Sequence, residues 1–157
     1  MRFTYDGYLR LLELLRECSY GFADYHTYTA FPRCVILRHD IDTDLAQAVR
    51  FAELEARGGI RSTYFVLLRT DFYNPASRQS LEQLRRIQAL GHEIGLHFDE
   101  KAYPDGRPEE MIRRILKERG ILSALLETEI STVSMHRPSR ATLDADLQIP
   151  GMVNSYG

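Results

Sequence analysis

Three short polar clusters follow apolar stretches of the sequence and could act together chemically. They are Arg38–Asp42, His97–Asp99 and His136–Pro138, and each contains histidine together with aspartate or arginine. In parallel α/β folds, ligand and catalytic groups lie just beyond the carboxyl ends of strands, where the loops converge. The three clusters therefore predict one shared site at one edge of a parallel sheet.

Asp40 and Asp42 are the first pair in this predicted site. Side chains two positions apart on an extended segment share a face, with Cα atoms about 6–7 Å apart, so both carboxylates can point into one cleft. Two carboxylates there repel each other unless a cation lies beside them. One metal ligand and one general base is the simplest division of roles. The alternative is a solvated loop start in which Asp42, Thr43 or Asp44 only caps the next helix, and we favour this interpretation for Asp44.

Histidine supplies nitrogen ligands that divalent transition metals commonly bind, and His97 is the first candidate. His92, five residues earlier on the same stretch, must face the other side of a strand, which predicts a structural role. His136 could be a metal ligand, a proton donor or a plain strand residue. Gly95 removes a side chain in the middle of the strand, which is typical of a close approach by a ligand or a packed element.

Arg137 is the candidate for orienting the base. Pro138 follows it and restricts the local backbone, which holds the side chain in place. A guanidinium beside Asp40 would lower the pKa of that carboxyl and orient it through charge-assisted hydrogen bonds. The alternative is a surface arginine at the start of a loop.

Apolar strands that alternate with amphipathic helices must position these clusters, which predicts βαβ units around a parallel sheet. A helix over about 4–18 precedes the sheet. The helix signals include a capping box formed by Ser80 and Gln83, and Pro108 at the start of a helix that Gly120 can close. The remaining elements are expected at 33–38, 62–68, 92–97 and 131–136 for strands and at 44–57, 81–90, 108–120 and about 121–127 for helices.

Size and charge restrict the class of protein. At 157 residues the chain is expected to be a single domain, and its composition is that of an ordinary globular protein. A net charge of −2 without a basic run argues against a nucleic-acid partner. The chain has neither a run of 18 apolar residues nor a signal-peptide core, which predicts a cytoplasmic protein without a membrane span. Cys18 and Cys34 are expected to be reduced thiols.

Four segments taken together resemble the polysaccharide deacetylase superfamily, the NodB-homology domains of carbohydrate esterase family 4. They occur in the family's order and are Arg38–Asp42, Ser62–Val66, Gly91–His97 and His136–Ser139. The resemblance covers about 33–140, most of the chain. It implies an α/β fold of the distorted (β/α) barrel type that begins near residue 33, a divalent metal that is usually zinc, and hydrolysis of an acetyl group on a sugar.

The resemblance also assigns roles to individual residues. It implies that Asp40 is the catalytic base, that Asp42 and His97 are metal ligands, and that Arg137 orients the base. The family's second metal histidine, four residues after His97, is Lys101 here, and an ammonium group cannot ligate a metal. The third ligand is then expected to be His136 or, ranked slightly below it, Asp99.

The end of the chain departs from the family pattern as well. No histidine follows His136 to serve as the family's general acid, and only 20 residues follow Arg137, too few for the remaining strands and helices of a barrel. These features predict a C-terminally incomplete domain whose open edge favours association into homo-oligomers.

The form of the motifs is similar to a branch of the family associated with O-antigen or cell-surface polysaccharide biosynthesis, which implies an acylated sugar as substrate. Two alternatives to a sugar deacetylase stay open. One is a catalytically degenerate deacetylase-like domain that binds a glycan or a partner chain. The other is a metal hydrolase that acts on a phosphate ester or a simple amide.

Overall fold

The computed structural model describes residues 4–103 and 107–156. Within these residues, short connections link five α-helices and seven strands. In chain order the elements are α1 (Tyr5–Glu17), β1 (Gly21–Ala23), β2 (Cys34–Ile36), β3 (Arg38–Ile41), α2 (Leu45–Arg57), β4 (Thr63–Leu67), α3 (Arg78–Ala89), β5 (Glu93–Asp99), α4 (Pro108–Leu126), β6 (Thr132–His136), α5 (Arg140–Asp144) and β7 (Val153–Asn154).

Strands β3 to β7 form a parallel sheet in sequential order, and β1 and β2 form a separate parallel pair. A helix crosses over between each pair of neighbouring strands in the main sheet, which is the expected βαβ arrangement. The register places His97 level with Ser134 and Asp99 level with His136. The predicted α/β fold with a parallel sheet is thus confirmed, and the strands of the described residues form an open sheet rather than a closed ring.

The two faces of the main sheet differ in character because side chains alternate along each strand. The face toward α2, α3 and α4 carries the hydrophobic core, whose strand residues include Ile41, Tyr64, Val66, Leu96, Phe98 and Met135. The opposite face carries polar side chains, among them Arg38, Asp40, His97 and Ser134. The carboxyl edge of this polar face holds the candidate site.

The predicted strand at 33–38 is two strands, because the chain changes its pairing partner at Leu37. β2 pairs with β1, whereas β3 begins the main sheet and extends beyond the apolar run to Ile41. Polar residues continue the strand here because Arg38 and Asp40 form an ion pair on the same face. The apolar run alone therefore ended the predicted strand too early.

The predicted helix end at Gly120 is wrong, since α4 continues through it. A glycine inside a helix costs only about 1 kcal/mol, and the burial of Leu122 and Leu126 after it exceeds that cost. Helix α3 begins after Ser77, whose hydroxyl caps it, and Ser80 lies buried one turn later instead of serving as the cap. None of the helices in the described part of the chain is long and apolar enough to cross a membrane.

Candidate metal centre

Asp42, His97 and His136 converge at the carboxyl edge of the main sheet, with one ligand atom of each within 4.8 Å of the others. Oδ1 of Asp42 lies 3.5 Å from Nε2 of His97 and 3.4 Å from Nδ1 of His136, and the two nitrogens are 3.1 Å apart. Two ligands of a tetrahedral zinc ion, each about 2.1 Å from it, lie about 3.4 Å apart. The three residues therefore fit a divalent metal ion held by one oxygen and two nitrogens, with a fourth position left open.

His97 is prepared as a ligand by its surroundings. Its Nδ1 lies 3.1 Å from the carbonyl oxygen of Ser134 on the neighbouring strand. Because a carbonyl only accepts, Nδ1 carries the proton and Nε2 presents its lone pair to the other two residues. Burial lowers the pKa of His97 below its usual value and outweighs the opposing effect of the nearby Asp40 carboxylate. His97 is therefore held in the neutral form that binds metal.

Asp40 lies beside the three ligands and not among them. Its Oδ2 is 3.8 Å from Nε2 of His97, and Nη2 of Arg38 is 2.7 Å from both of its carboxylate oxygens. The same guanidinium donates to the hydroxyls of Ser134 at 2.6 Å and Ser155 at 3.1 Å. The two serines thus fix the Arg38 side chain, which in turn holds the Asp40 carboxylate in one orientation.

The expected contact between Arg137 and Asp40 is not formed. Nη2 of Arg137 donates to Oδ2 of Asp99 at 3.2 Å, and the Arg137 side chain is 61% exposed. Its backbone is left-handed, with φ of 51°, so the chain turns away immediately after β6. Arg38 contacts both oxygens of Asp40 from within the sheet, so Arg38 and not Arg137 orients this carboxylate.

Asp99, the second candidate for a third metal ligand, is engaged elsewhere. Its Oδ1 accepts from the backbone N–H of Lys101 at 3.1 Å, while its Oδ2 accepts from Arg137. The structure therefore brings His136, and not Asp99, together with Asp42 and His97.

Asp44 and His92 have structural roles. Asp44 caps α2, as predicted, by accepting from backbone N–H groups of the first turn. His92 is buried on the helix side of the sheet, where Nδ1 accepts from the N–H of Ser62 and Nε2 donates to the carbonyl oxygen of Ala52. Burial lowers the pKa of His92, so the ring remains neutral and both of its nitrogens are used by the backbone.

A buried carboxylate anchors the strand that carries both aspartates. Glu55 of α2 is fully buried, and its Oε1 lies 2.7 Å from Nε2 of His39, the residue before Asp40. Glu55 also accepts from the hydroxyls of Ser62 and Tyr64 at 2.8 and 2.7 Å, and from that of Tyr8 in α1. This cluster joins α1, α2, β3 and β4 behind the candidate site.

Arg38 and Glu55 are the residues that sequence reasoning missed. The spacing of Arg38, two positions before Asp40 on a strand, places both side chains on one face and was the available signal. For Glu55, the signal was its position three residues after Ala52, on the face of α2 that packs against the sheet. A charged residue on a buried helix face implies buried partners.

Several solved structures share this fold. PplD, a deacetylase from Streptococcus pyogenes solved in complex with acetate, superimposes with a TM-score of 0.63 at 15% identity, over 85% of this chain and 63% of that one. IcaB from Ammonifex degensii gives a TM-score of 0.63 at 17% identity, over 90% of this chain and 70% of that one. A mutant CE4 family pseudoenzyme with restored enzymatic activity gives a TM-score of 0.52 at 15% identity, over 75% of this chain and 43% of that one.

No family model matches the chain, and no curated protein sequence does. The likeness is therefore one of fold, at identities far below those that carry a specific activity. The chain spans about two thirds of the length of the PplD and IcaB structures.

Proposed function

We propose that this chain, which has the NodB-type fold of the CE4 polysaccharide deacetylases, is a metal-dependent hydrolase that removes an acyl group, most simply acetyl, from an amino sugar. The observation that carries the proposal is the convergence of Asp42, His97 and His136 on one point, with Asp40 beside them. A zinc ion is a divalent metal that one carboxylate and two imidazoles can hold with an open position for water.

The chain's own residues supply the rest of the chemistry. Asp42, His97 and His136 would hold the metal, which supplies Lewis acidity toward the acyl carbonyl and the attacking water. Asp40 is within reach of the same space and takes the proton from that water as general base. Arg38 holds the Asp40 carboxylate in a fixed orientation through its contact with both oxygens.

The fold supports the proposed deacetylation, and the motifs support the proposed type of sugar. PplD is a deacetylase and was solved with acetate, the product that the proposed reaction would release. An acylated sugar of a surface polysaccharide or O-antigen precursor, handled in the cytoplasm, is part of the same proposal. This substrate is supported by the similarity of the motifs alone.

A second candidate function is a degenerate deacetylase-like domain that binds a glycan or a partner chain without hydrolysing it. Lys101 stands at the position of the family's second metal histidine, and one structure with this fold is described as a pseudoenzyme. Binding would then persist without the metal ligands.

Hydrolysis of an N-acetylated amino sugar, measured by acetate release, tests the two candidates. Chelator-treated protein should be inactive and should regain activity with one equivalent of Zn²⁺, while Asp40→Asn should keep the metal and lose activity by about 10²-fold or more. Sugar binding without acetate release in the zinc-loaded wild type would instead support the degenerate domain.

A further inference from the structure

The loop between β4 and α3 reaches back to the carboxyl end of β3, where Asp42 lies. It brings two hydroxyl groups, those of Thr70 and Tyr73, to the backbone on either side of Asp42. We propose that these two hydroxyls aim the Asp42 carboxylate at the two metal-ligating imidazoles, an inference that rests on the metal site of the proposed function. Thr70 and Tyr73 are thus positioning residues, which act through Asp42 and touch neither metal nor substrate.

Asp42 is the candidate ligand that most needs such support. Its side chain is 48% exposed, whereas His97 is buried and is oriented by the carbonyl oxygen of Ser134. Within residues 4–103 and 107–156, the Asp42 carboxylate accepts no hydrogen bond from the backbone, and its polar neighbours are the imidazoles of His97 and His136. A ligand that is held in place binds a metal more tightly than a mobile one. The direction of the Asp42 side chain must therefore be set by its own backbone.

Tyr73 holds the peptide group that precedes Asp42. Its hydroxyl donates to the carbonyl oxygen of Ile41 at 2.7 Å and accepts from the N–H of Leu67 at 3.1 Å. The pairing of β3 with β4 ends at this point, where Ile41 lies level with Val66. The hydroxyl thus joins the carboxyl ends of the two strands and fixes the end of β3 immediately before Asp42.

Thr70 holds the peptide group that follows Asp42. Its hydroxyl donates to the carbonyl oxygen of Asp42 at 3.4 Å and accepts from the N–H of Phe72, in the same loop, at 3.3 Å. Peptide groups are planar, so each residue has only two soft backbone dihedral angles. With a hydroxyl on the peptide group at each side, both of these angles are restricted for Asp42, and its side chain leaves the backbone in one direction.

The loop that carries the two hydroxyls is itself anchored to the helix side of the sheet. Arg69, the residue before Thr70, donates through Nε to the carboxylate of Glu118 at 3.1 Å. Glu118 is buried in α4, and the Tyr73 ring packs against the hydrophobic core. The two hydroxyls therefore lie on a supported segment, as groups that orient a metal ligand must.

The zinc affinity of hydroxyl-deletion variants, measured by competition with a chromophoric chelator, tests the assignment. Tyr73→Phe removes only the hydroxyl and should weaken zinc binding by about 10–100-fold, the usual effect of losing a group that orients a metal ligand. Thr70→Val should weaken it by less, because the contact of Thr70 with Asp42 is longer. Tyr103→Phe is the matched control and should bind zinc within about twofold of the wild type, since its hydroxyl contacts Arg69 of the same loop and neither flanking carbonyl.

A double-mutant cycle separates positioning from a general loss of structure. In the Asp42→Asn background, Tyr73→Phe should change the zinc affinity by less than about twofold, because Tyr73 acts only through Asp42. Equal losses in both backgrounds would overturn the assignment, as would wild-type affinity in the single Tyr73→Phe variant. Circular dichroism establishes that each variant is folded. If Tyr73→Phe does not fold, the same cycle with Thr70→Val decides the question.

Acetate release from N-acetylglucosamine by the wild type distinguishes this assignment from the proposed hydrolysis. Tyr73-dependent zinc binding in a wild type that releases no acetate would overturn the hydrolysis and leave the positioning role standing. An active, zinc-binding wild type whose affinity is the same in Tyr73→Phe would overturn the positioning role alone. A folded wild type that binds no zinc would overturn both.

Discussion

Nη2 of Arg38 lies 2.7 Å from each carboxylate oxygen of Asp40, on the polar face of the sheet. The guanidinium carbon of Arg38 also lies 5.1 Å from the centre of the Phe65 ring, and its nitrogens contact Ser134 and Ser155. Through this one side chain, the orientation of Asp40 depends on β4, on β6 and on the residue that follows β7. Arginine suits this place because its planar group can serve several acceptors at once.

Arg38→Lys should therefore impair catalysis more than metal binding. A lysine ammonium cannot reach Asp40, Ser134 and Ser155 together, so the base loses its fixed orientation. We expect kcat for acetate release to fall by about 10²-fold, with little change in KM. The variant should bind as much metal as the wild type. Arg86→Lys is the control, since Arg86 pairs with Glu53 on an exposed face of α3. Wild-type kcat in Arg38→Lys would refute the positioning role.

Glu55→Gln should destabilise the folded chain. The buried carboxylate accepts from His39, Ser62, Tyr64 and Tyr8, and a neutral amide opposes some of these donors with its own N–H groups. We expect a loss of about 2–4 kcal/mol in the free energy of unfolding at pH 7 by urea denaturation. A loss below about 0.5 kcal/mol, the range of ordinary surface changes, would mean that the cluster does not anchor β3.

The pH dependence of this loss has a defined sign. Burial acts to raise the pKa of Glu55. The hydrogen bond and the charge of His39, together with hydrogen bonds from the hydroxyls of Tyr8 and Tyr64, have a larger opposite effect, so the pKa of Glu55 is lowered. A carboxyl whose pKa is lower in the folded state stabilises the fold above its unfolded value of about 4.3 and loses this contribution as the pH falls. The difference between wild type and Glu55→Gln should therefore shrink below about pH 4. A difference that grows on acidification would contradict this assignment.

Gly95→Ala and Gly120→Ala should shift stability in opposite directions. A Cβ on Gly95 would lie 2.5 Å from Cε1 of Phe65 and 2.7 Å from Oγ1 of Thr132, both on neighbouring strands, and we expect a loss of about 1–3 kcal/mol. A Cβ on Gly120 meets nothing within 4 Å inside α4, where alanine should add about 0.5–1 kcal/mol. Thermal unfolding of both variants measures the contrast. Equal shifts would contradict the close packing at Gly95.

Periodicity and end signals were enough to predict most of the fold. Helices α1 and α2 and strands β4, β5 and β6 lie within two residues of their predicted bounds, because each has a clear apolar pattern. The short elements β1, α5 and β7 were not predicted, since two to five residues carry too little pattern. Gly120 shows the limit of end signals, because tertiary burial of later residues continued α4 past it.

The candidate site was predictable only where residues share a strand end. Asp42, His97 and His136 were expected together because the carboxyl ends of parallel strands meet. Which arginine contacts Asp40 depends on where the side chains of different strands lie in space. The sequence motifs do not contain this information, so they could not distinguish Arg137 at the edge of the sheet from Arg38 within it.

The metal content of the purified chain tests the central claim most directly. After loading with Zn²⁺ and removal of excess metal, elemental analysis should find about one zinc per chain in the wild type, and the content should fall by at least tenfold in Asp42→Asn, His97→Ala and His136→Ala. Asp99→Asn is the control and should retain the metal, because Asp99 contacts Arg137 and Lys101 instead. A folded wild type without zinc, or triad variants that keep it, would contradict the account.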